Sequence, residues 1–270
     1  MKTTILPTIN NNNSNDSNNQ KKVMDNAALT VVNPKVAIFD YGAGNLFSLK
    51  AALERNGARE ASVVRDMKSL SLFDGLILPG VGNFDPAITS LGQEKGFLSS
   101  AIKSKMPILG ICLGMEMLFN CSEEGKMDGL KIVDGQVRML DKKKVKVPHM
   151  GWNNIQLVGH KISSENMIKR KNHIGGNGIS GSSSRLLHNI RDNSWVYFVH
   201  SYRIFPGKRD RQIVVAATKY GDNKMPAVIE KDNIFGTQFH PEKSGPVGSQ
   251  IIRNFLEICS SKGAVINASE

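Results

Sequence analysis

A cysteine between two glycines is the first feature of this sequence whose residue type and setting suggest chemistry. In Gly110-x-Cys112-x-Gly114, an apolar run from Pro107 to Ile111 leads into the cysteine, and apolar residues at helical spacing follow it. A strand, a tight turn and a helix with a nucleophile at the turn form the elbow found in many hydrolases. The start of a helix also favours the thiolate form of a cysteine. Taken alone, the motif is equally compatible with a small buried apolar residue.

His240 and Glu242 are the best candidates for the base and the orienting acid that a cysteine nucleophile requires. They lie two residues apart, directly after an apolar strand that ends at Phe239. Because side chains alternate along a strand, both groups are expected on the same face. His200 also ends a strand and is the rival base. No acidic residue lies beside His200, which favours His240.

Apolar runs that end in glycine-rich turns predict an α/β fold with parallel strands. The runs Val36–Phe39, Gly75–Leu78 and Pro107–Ile111 are continuous, as expected for strands buried on both faces. The predicted element order is β-α-β-β-α-β-α. Open parallel sheets place their sites at the carboxyl ends of the strands. This rule brings the ribbon Gly80–Gly82 beside Cys112.

The second half of the chain is predicted to be rich in strands. A turn is expected at Gly151–Asn153, and a helix from about Gly248 to Cys259 closes the domain. The predicted strands are Leu130–Val133, Gly135–Leu140, Val145–His149, Trp195–Val199, Ile213–Ala217, and a hairpin of Val228–Ile229 with Ile234–Phe239.

Composition limits the class of protein. With 270 residues and 40% hydrophobic content, the chain is long enough to bury a sizeable core. No apolar run approaches the ~18 residues of a membrane span, so we expect no membrane partner. The three cysteines are scattered, which predicts neither a disulfide framework nor a metal site. We expect a reducing, cytoplasmic setting and no cofactor.

The formal net charge of +11 suggests a nucleic-acid partner at first sight. Residues 160–191 carry six basic side chains and one acidic one, so nearly half of the excess lies in one Gly/Ser-rich segment. We interpret this segment as a flexible insertion, and it lacks the interleaved aromatic residues of single-strand binders. The sequence therefore predicts no nucleic-acid binding. Residues 1–34 are predicted to be a disordered Asn-rich tail, 35–260 the folded domain, and 261–270 a C-terminal tail.

The candidate residues together resemble a known enzyme family. Cys112, the His240–Glu242 pair and the ribbon Pro79–Gly82 are similar to the motifs of class I glutamine amidotransferases. Within that family, the resemblance is to the glutaminase subunits of imidazole glycerol phosphate synthase, and it spans about residues 35–256. The stretches that carry it are Asp40–Leu46, Pro148–Asn153, Val199–Tyr202 and His240–Ser244.

The resemblance implies a flavodoxin-like α/β domain, with a mostly parallel central sheet flanked by helices. It implies a triad of Cys112, His240 and Glu242 that hydrolyses glutamine to glutamate and ammonia through a thioester. Ammonia would pass to a (β/α)8 cyclase subunit, the partner in a heterodimer. That subunit would form imidazole glycerol phosphate and an aminoimidazole carboxamide ribotide in histidine biosynthesis. The alternatives are the glutaminase subunit of another ammonia-channelling synthase and a non-catalytic relative.

The resemblance also assigns roles to further residues. Glu116 departs from the family, which usually has Gln there, and a carboxylate at this position would repel the α-carboxylate of glutamine. The residues implied in the oxyanion hole or in substrate binding are Gly80, Val81, Gly82, Leu113, Glu116, His200, Ser201 and Tyr202. Those implied to face the cyclase are Asn45, Tyr202 and Lys243.

Overall fold

The computed structural model describes residues 33–42, 46–80, 82–158 and 184–266, with side chains up to Ser261. Several predictions concern residues outside these ranges. They are the Asn-rich tail up to residue 32, the roles of Asn45 and Val81, most of the insertion, and the last four residues of the chain.

The first half of the domain alternates strands and helices as predicted. The third strand is followed by two helices instead of one, because the helix is interrupted at Glu94. The carboxylate of Glu94 accepts the backbone N–H of Met67. The elements are β1 (Lys35–Phe39), α1 (Leu46–Arg55), β2 (Glu60–Val64), β3 (Gly75–Leu78), α2 (Phe84–Gln93), α3 (Lys95–Lys103), β4 (Ile108–Ile111) and α4 (Leu113–Glu116).

The second half consists of strands closed by one long helix. Three short 3-10 helices also occur in the described chain, at Leu70–Leu72, Lys208–Ile213 and Pro241–Lys243. The elements are β5 (Cys121–Ser122), β6 (Gly135–Met139), β7 (His149–Leu157), β8 (Ser194–His200), β9 (Tyr202–Pro206), β10 (Val214–Tyr220), β11 (Asn223–Lys231), β12 (Ile234–Thr237) and α5 (Gly245–Ile266).

Within the described ranges, nine strands form one sheet in the order β2-β1-β3-β4-β12-β11-β10-β7-β8. The strands from β2 to β12 are parallel, and those from β12 to β8 are antiparallel. The α/β class is therefore confirmed, with a sheet that is mixed because an antiparallel half extends the parallel one. The strands β5, β6 and β9 form a second, smaller sheet.

Apolar side chains cover both faces of the large sheet. On one face, Phe235 packs against Phe255 of α5 with ring centroids 6.2 Å apart. On the other face, Phe39, Phe84 and Phe119 are fully buried with α2 and α3. Each such burial contributes about 2–3 kcal/mol, so both helical layers hold the parallel strands rigidly. In the described part of the chain, no helix is long and apolar enough to cross a membrane.

The predicted turn at Gly151–Asn153 is wrong. These residues lie inside β7, which pairs with β8 without interruption from the His149–His200 pair to the Ile155–Ser194 pair. The chain instead turns before His149, so the predicted strand Val145–His149 contributes only its last residue. Glycine and asparagine were weak indicators of a turn here, because pairing with β8 outweighs the local preference of these residues for turns.

The predicted strand Leu130–Val133 is also wrong. Its backbone N–H groups donate to the carbonyls of residues 117–119, the segment that follows α4. The predicted hairpin is confirmed, because β11 and β12 pair up to Lys231 and Ile234.

The end of the predicted insertion packs on the domain. Leu186, Leu187 and Ile190 are buried, and Arg185 pairs with Glu230 at 2.9 Å. The flexible segment predicted for residues 160–191 therefore does not include residues 184–191. At the other end of the chain, α5 runs to Ile266, beyond the predicted helix end at Cys259 and into the predicted C-terminal tail.

Candidate active site

Cys112 lies at a sharp turn between β4 and α4. Its backbone has φ 48° and ψ −108°, a conformation that non-glycine residues adopt at a cost of about 1–3 kcal/mol. Gly114 allows the turn to fold tightly, because a Cβ there would lie 1.9 Å from the carbonyl oxygen of Leu78. The geometry is that of a nucleophile elbow, with the thiol at the carboxyl end of the parallel strands.

The strand beside the elbow carries His240. The backbone N–H of Cys112 donates to the carbonyl of Thr237 at 2.7 Å, which extends the parallel pairing of β4 and β12. Three residues later, Nδ1 of His240 lies 2.8 Å from Oε1 of Glu242. The imidazole is 1% exposed, and its backbone N–H donates to the carbonyl of Tyr197. The histidine is thus fixed through both its backbone and its ring.

Gly80 lies against both Cys112 and His240. A Cβ on Gly80 would lie 2.8 Å from Cβ of Cys112 and 3.0 Å from Cε1 of His240. Within the described structure, Nε2 of His240 is buried and has no hydrogen-bond partner. The nitrogen that Glu242 does not hold is therefore available to take a proton from the thiol.

The thiol itself is held in its neutral form. It donates to the carbonyl of Val199 at 3.7 Å and accepts from the backbone N–H of Leu113. Burial raises the pKa of Cys112 well above its ordinary value, and the negative charge of Glu116 raises it further. The four-residue helix α4 does not offset these two effects, contrary to the expectation that the helix start favours thiolate.

Glu116 lies one helical turn after the nucleophile and is 3% exposed. Its Oε1 accepts from the side-chain amide of Gln238 at 2.9 Å. Burial raises the pKa of Glu116 to about 7, and Glu124 adds a smaller effect of the same sign. Glu124 is half-buried and accepts the backbone N–H of Phe84, and burial raises its pKa too.

Gln238 and Glu124 were not predicted from the sequence. Gln238 belongs to the strand end that carries His240, and Glu124 follows β5 in an ordinary polar stretch. Neither residue stands in a local pattern that marks it, because each meets Glu116 only through the folding of the sheet.

His200 is fully occupied by other groups. Its Nδ1 lies 2.6 Å from the carbonyl oxygen of Tyr202, and its Nε2 lies 2.9 Å from Nδ1 of His149. Burial lowers the pKa of His200 to about 3 and that of His149 to about 4. Both rings are therefore neutral near pH 7, and neither nitrogen of His200 is available as the base that the sequence allowed as a rival.

The remaining predicted residues are distributed around this centre. Gly82 has φ 115°, and Ser201 accepts the backbone N–H of Leu140. Tyr202 begins β9, and burial raises its pKa, with added effects from Glu124, Glu116 and Glu123. Lys243 is exposed in the 3-10 turn after His240. Asn45 and Val81 lie outside the described residues, so their roles stay predictions.

No group of three or more His, Cys, Asp or Glu side chains in the described ranges is arranged to hold a metal ion. The chemistry of the site is that of a thiol, an imidazole and carboxyl groups. A thiol beside an acid-paired imidazole is suited to acyl transfer through a thioester.

Comparison with known proteins agrees with this chemistry. Residues 37–259 match the glutamine amidotransferase class-I family. An imidazole glycerol phosphate synthase subunit HisH from Synechococcus sp. (strain JA-3-3Ab) is 42% identical over 232 residues, covering 84% of this chain and 95% of the relative. The subunit of the same name from Methanosarcina barkeri is 40% identical over 227 residues, covering 83% and 99%.

Among solved structures, that of PurLQS from Thermotoga maritima is similar in fold. Its TM-score is 0.59 with 17% identity, and the match covers 84% of this chain and 99% of that chain. Residues 37–259, which match the family, contain the elbow, the His240–Glu242 pair and both halves of the large sheet. The chain therefore belongs to the class I glutamine amidotransferase family.

Proposed function

We propose that this chain is the glutaminase subunit of imidazole glycerol phosphate synthase in histidine biosynthesis. The observation that carries the proposal is that the elbow cysteine and the His240 imidazole both lie against Gly80, with Nδ1 of that imidazole held by Glu242 at 2.8 Å. The relatives with about 40% identity along nearly their whole length support the pathway.

Cys112 is the nucleophile of the proposed reaction. Nε2 of His240 takes the thiol proton as the sulfur attacks the side-chain amide carbon of glutamine. The same proton then goes to the leaving nitrogen, which departs as ammonia and leaves a thioester. Water, deprotonated by His240, hydrolyses the thioester and releases glutamate and the free thiol. Glu242 holds the ring and stabilises its charged form.

Backbone N–H groups stabilise the charge that develops on the amide oxygen. The N–H of Leu113, already directed at the sulfur of Cys112, is one proposed donor, and the ribbon Gly80–Gly82 supplies the other. A single such donor is commonly worth about 3 kcal/mol in the transition state. Glu116, His200, Ser201 and Tyr202 are proposed to bind glutamine on the basis of the sequence resemblance.

The proposed partner is a (β/α)8 cyclase subunit that receives the ammonia. Lys243 and Tyr202 are proposed to face it, because Lys243 lies in the turn that follows His240 and Tyr202 follows His200 at the carboxyl end of β8. Asn45 is proposed to join them on the basis of the sequence resemblance alone.

The test is the release of glutamate from glutamine by the purified chain, alone and with a cyclase subunit plus its ribotide ligand. We expect activity that requires the liganded cyclase and disappears in the Cys112→Ala variant. Strong activity without the partner would contradict this function and favour the glutaminase of another ammonia-channelling synthase. Absence of activity in both mixtures would contradict it as well, provided that the cyclase alone converts its ribotide with added ammonia.

A further inference from the structure

The side chain of Gln238 lies between the thiol of Cys112 and the carboxyl group of Glu116. Within the described structure, no other carboxyl group bonds the side chain of Gln238. Its Nε2 lies 2.9 Å from Oε1 of Glu116 and 3.9 Å from Sγ of Cys112. The residue is fully buried, and its own Oε1 has no partner among the described residues. Among the described residues, the thiol and the carboxyl group are therefore the groups that orient the amide.

We propose that Gln238 is a positioning residue that ties the carboxyl group of Glu116 to the thiol of Cys112, so that the charge on Glu116 controls how readily Cys112 becomes a thiolate. The proposal rests on the proposed function for the role of Cys112 as nucleophile. It adds a control on that nucleophile within the glutaminase subunit itself.

Electrostatics give the direction of this control. A carboxylate and a thiolate that share one amide donor repel each other, and the buried setting screens them weakly. When Glu116 is ionised, its charge opposes the thiolate, while its carboxylate holds one of the two N–H groups of the Gln238 amide. When Glu116 is neutral, or its charge is met by a cation, the repulsion disappears and the amide donates to sulfur.

Other charged groups near the pair come from several elements. Glu124, after β5, faces Glu116 and disfavours its ionisation. Glu242, in the turn after β12, adds to the negative potential at Cys112. His240, whose ring is held by Glu242, lies against Gly80 beside Cys112 and is the titratable base on that side. Tyr202, at the start of β9, is neutral at physiological pH because its pKa is raised. Within the described ranges, Glu116 forms no ion pair with a lysine or arginine, and its side-chain partner is the neutral amide of Gln238.

The experiment measures the pH dependence of Cys112 alkylation by iodoacetamide, a neutral reagent whose approach the charge of Glu116 does not affect. The full-length chain carries Cys121→Ser to remove the exposed thiol, and modification of Cys112 is followed by peptide mass spectrometry. The variants are Glu116→Gln and Gln238→Met, separately and together. Glu123→Gln is the matched control, because it removes the same charge from an exposed side chain in the same segment.

We expect Glu116→Gln to lower the midpoint of alkylation by about one pH unit, which is about tenfold faster modification below the midpoint. Glu123→Gln should leave the midpoint unchanged. In the Gln238→Met background, the effect of Glu116→Gln should be clearly smaller, because the carboxyl group is no longer held beside the sulfur.

Two results would overturn the proposal. Equal midpoints for Glu116→Gln and Glu123→Gln would show that the charge of Glu116 does not act on the thiol, and Glu116→Gln tests this even if Gln238→Met fails to fold. Strictly additive shifts would show that Gln238 does not couple the two groups. The assay needs no glutamine, so a failed glutaminase assay leaves it interpretable, whereas a Cys112 that never reacts would contradict the proposed function.

Discussion

The imidazole rings of His149 and His200 are joined at 2.9 Å, Nδ1 of the first to Nε2 of the second. His200 donates its Nδ1 proton to the carbonyl of Tyr202, so its Nε2 accepts from His149. The Nε2 of His149 in turn lies 3.3 Å from the amide nitrogen of Asn153, which donates to it. Each ring nitrogen of His149 and His200 is thus either a donor or an acceptor in this hydrogen-bond network, and both rings are neutral.

The two neutral histidines predict that acid destabilises the protein below pH 6.5. The folded-state pKa values are lowered, so the unfolded state binds more protons as the pH falls. Between pH 7 and pH 5, we expect a loss of about 2 kcal/mol from His200 and somewhat less from His149. Urea unfolding of His200→Gln should show a flatter pH dependence than the parent chain. His188→Gln, at an exposed histidine, serves as control, and equal slopes for all three proteins would contradict the assignment.

Glu116 predicts the opposite dependence on pH. Its pKa is raised in the folded state to about 7, so the folded state retains a proton that the unfolded state has lost above pH 4.5. Stability therefore falls as the pH rises from 4.5 to 7. Glu116→Gln should increase the free energy of unfolding by about 3 kcal/mol at pH 8 and have little effect at pH 4. An equal effect at both pH values would indicate a packing change instead.

Glutamine binding should also improve in Glu116→Gln. A carboxylate at this position repels the α-carboxylate of the proposed substrate, whereas an amide donates to it. We expect a KM for glutamine that is lower by about threefold to tenfold, the equivalent of one hydrogen bond. Steady-state glutaminase kinetics with the liganded cyclase would measure it. An unchanged or higher KM would contradict the idea.

Removing the charge that orients His240 should affect catalysis more than binding. In Glu242→Gln, the amide still fits, but the imidazolium formed during the reaction loses its counter-charge. We expect kcat to fall by about 10²–10⁴-fold with a KM close to that of the parent chain. A kcat within a factor of about three would contradict the role of Glu242 in the proposed triad.

Gly80 offers a steric test of the site. An added methyl group at this position would press on Ile111, Cys112 and His240 at 2.7 to 3.0 Å, so Gly80→Ala should separate nucleophile and base. We expect glutaminase activity to fall by at least about tenfold, because small misplacements of reacting groups are costly.

The matched control for this test is Gly96→Ala in α3. A methyl group there meets nothing within 4 Å, and it should stabilise the helix by about 0.5–1 kcal/mol without loss of activity. Full activity in Gly80→Ala with a folded protein would contradict the close approach of Cys112 and His240.

The sequence predicted the parts of the site that depend on local pattern. The elbow at Cys112 follows from an apolar run and two glycines, and the spacing of His240 and Glu242 follows from strand alternation. The contact of Gln238 with Glu116 could not be predicted in this way, because 122 positions separate the two residues along the chain. Long-range pairing of this kind leaves no local pattern in a single sequence.

Errors in the fold prediction have a similar origin. Gly151 and Asn153 resemble turn residues, yet β8 pairs with them along a continuous ladder. Leu186 and Leu187 stood in a Gly/Ser-rich, basic context that suggested flexibility, although they are buried under α5. In each case tertiary contacts outweighed the composition of the neighbouring residues.

The tight connection of β11 to β12 has a consequence for insertions and deletions. Lys231 pairs with Ile234, so two residues join the strands. β12 ends at Thr237, whose carbonyl accepts a hydrogen bond from the backbone N–H of Cys112. One residue added within β12 would move His240 by about 3.3 Å and turn alternate side chains to the opposite face. The number of residues in β12 thus sets the distance between the nucleophile Cys112 and the base His240. Substitutions in this segment are therefore expected to be tolerated better than insertions or deletions.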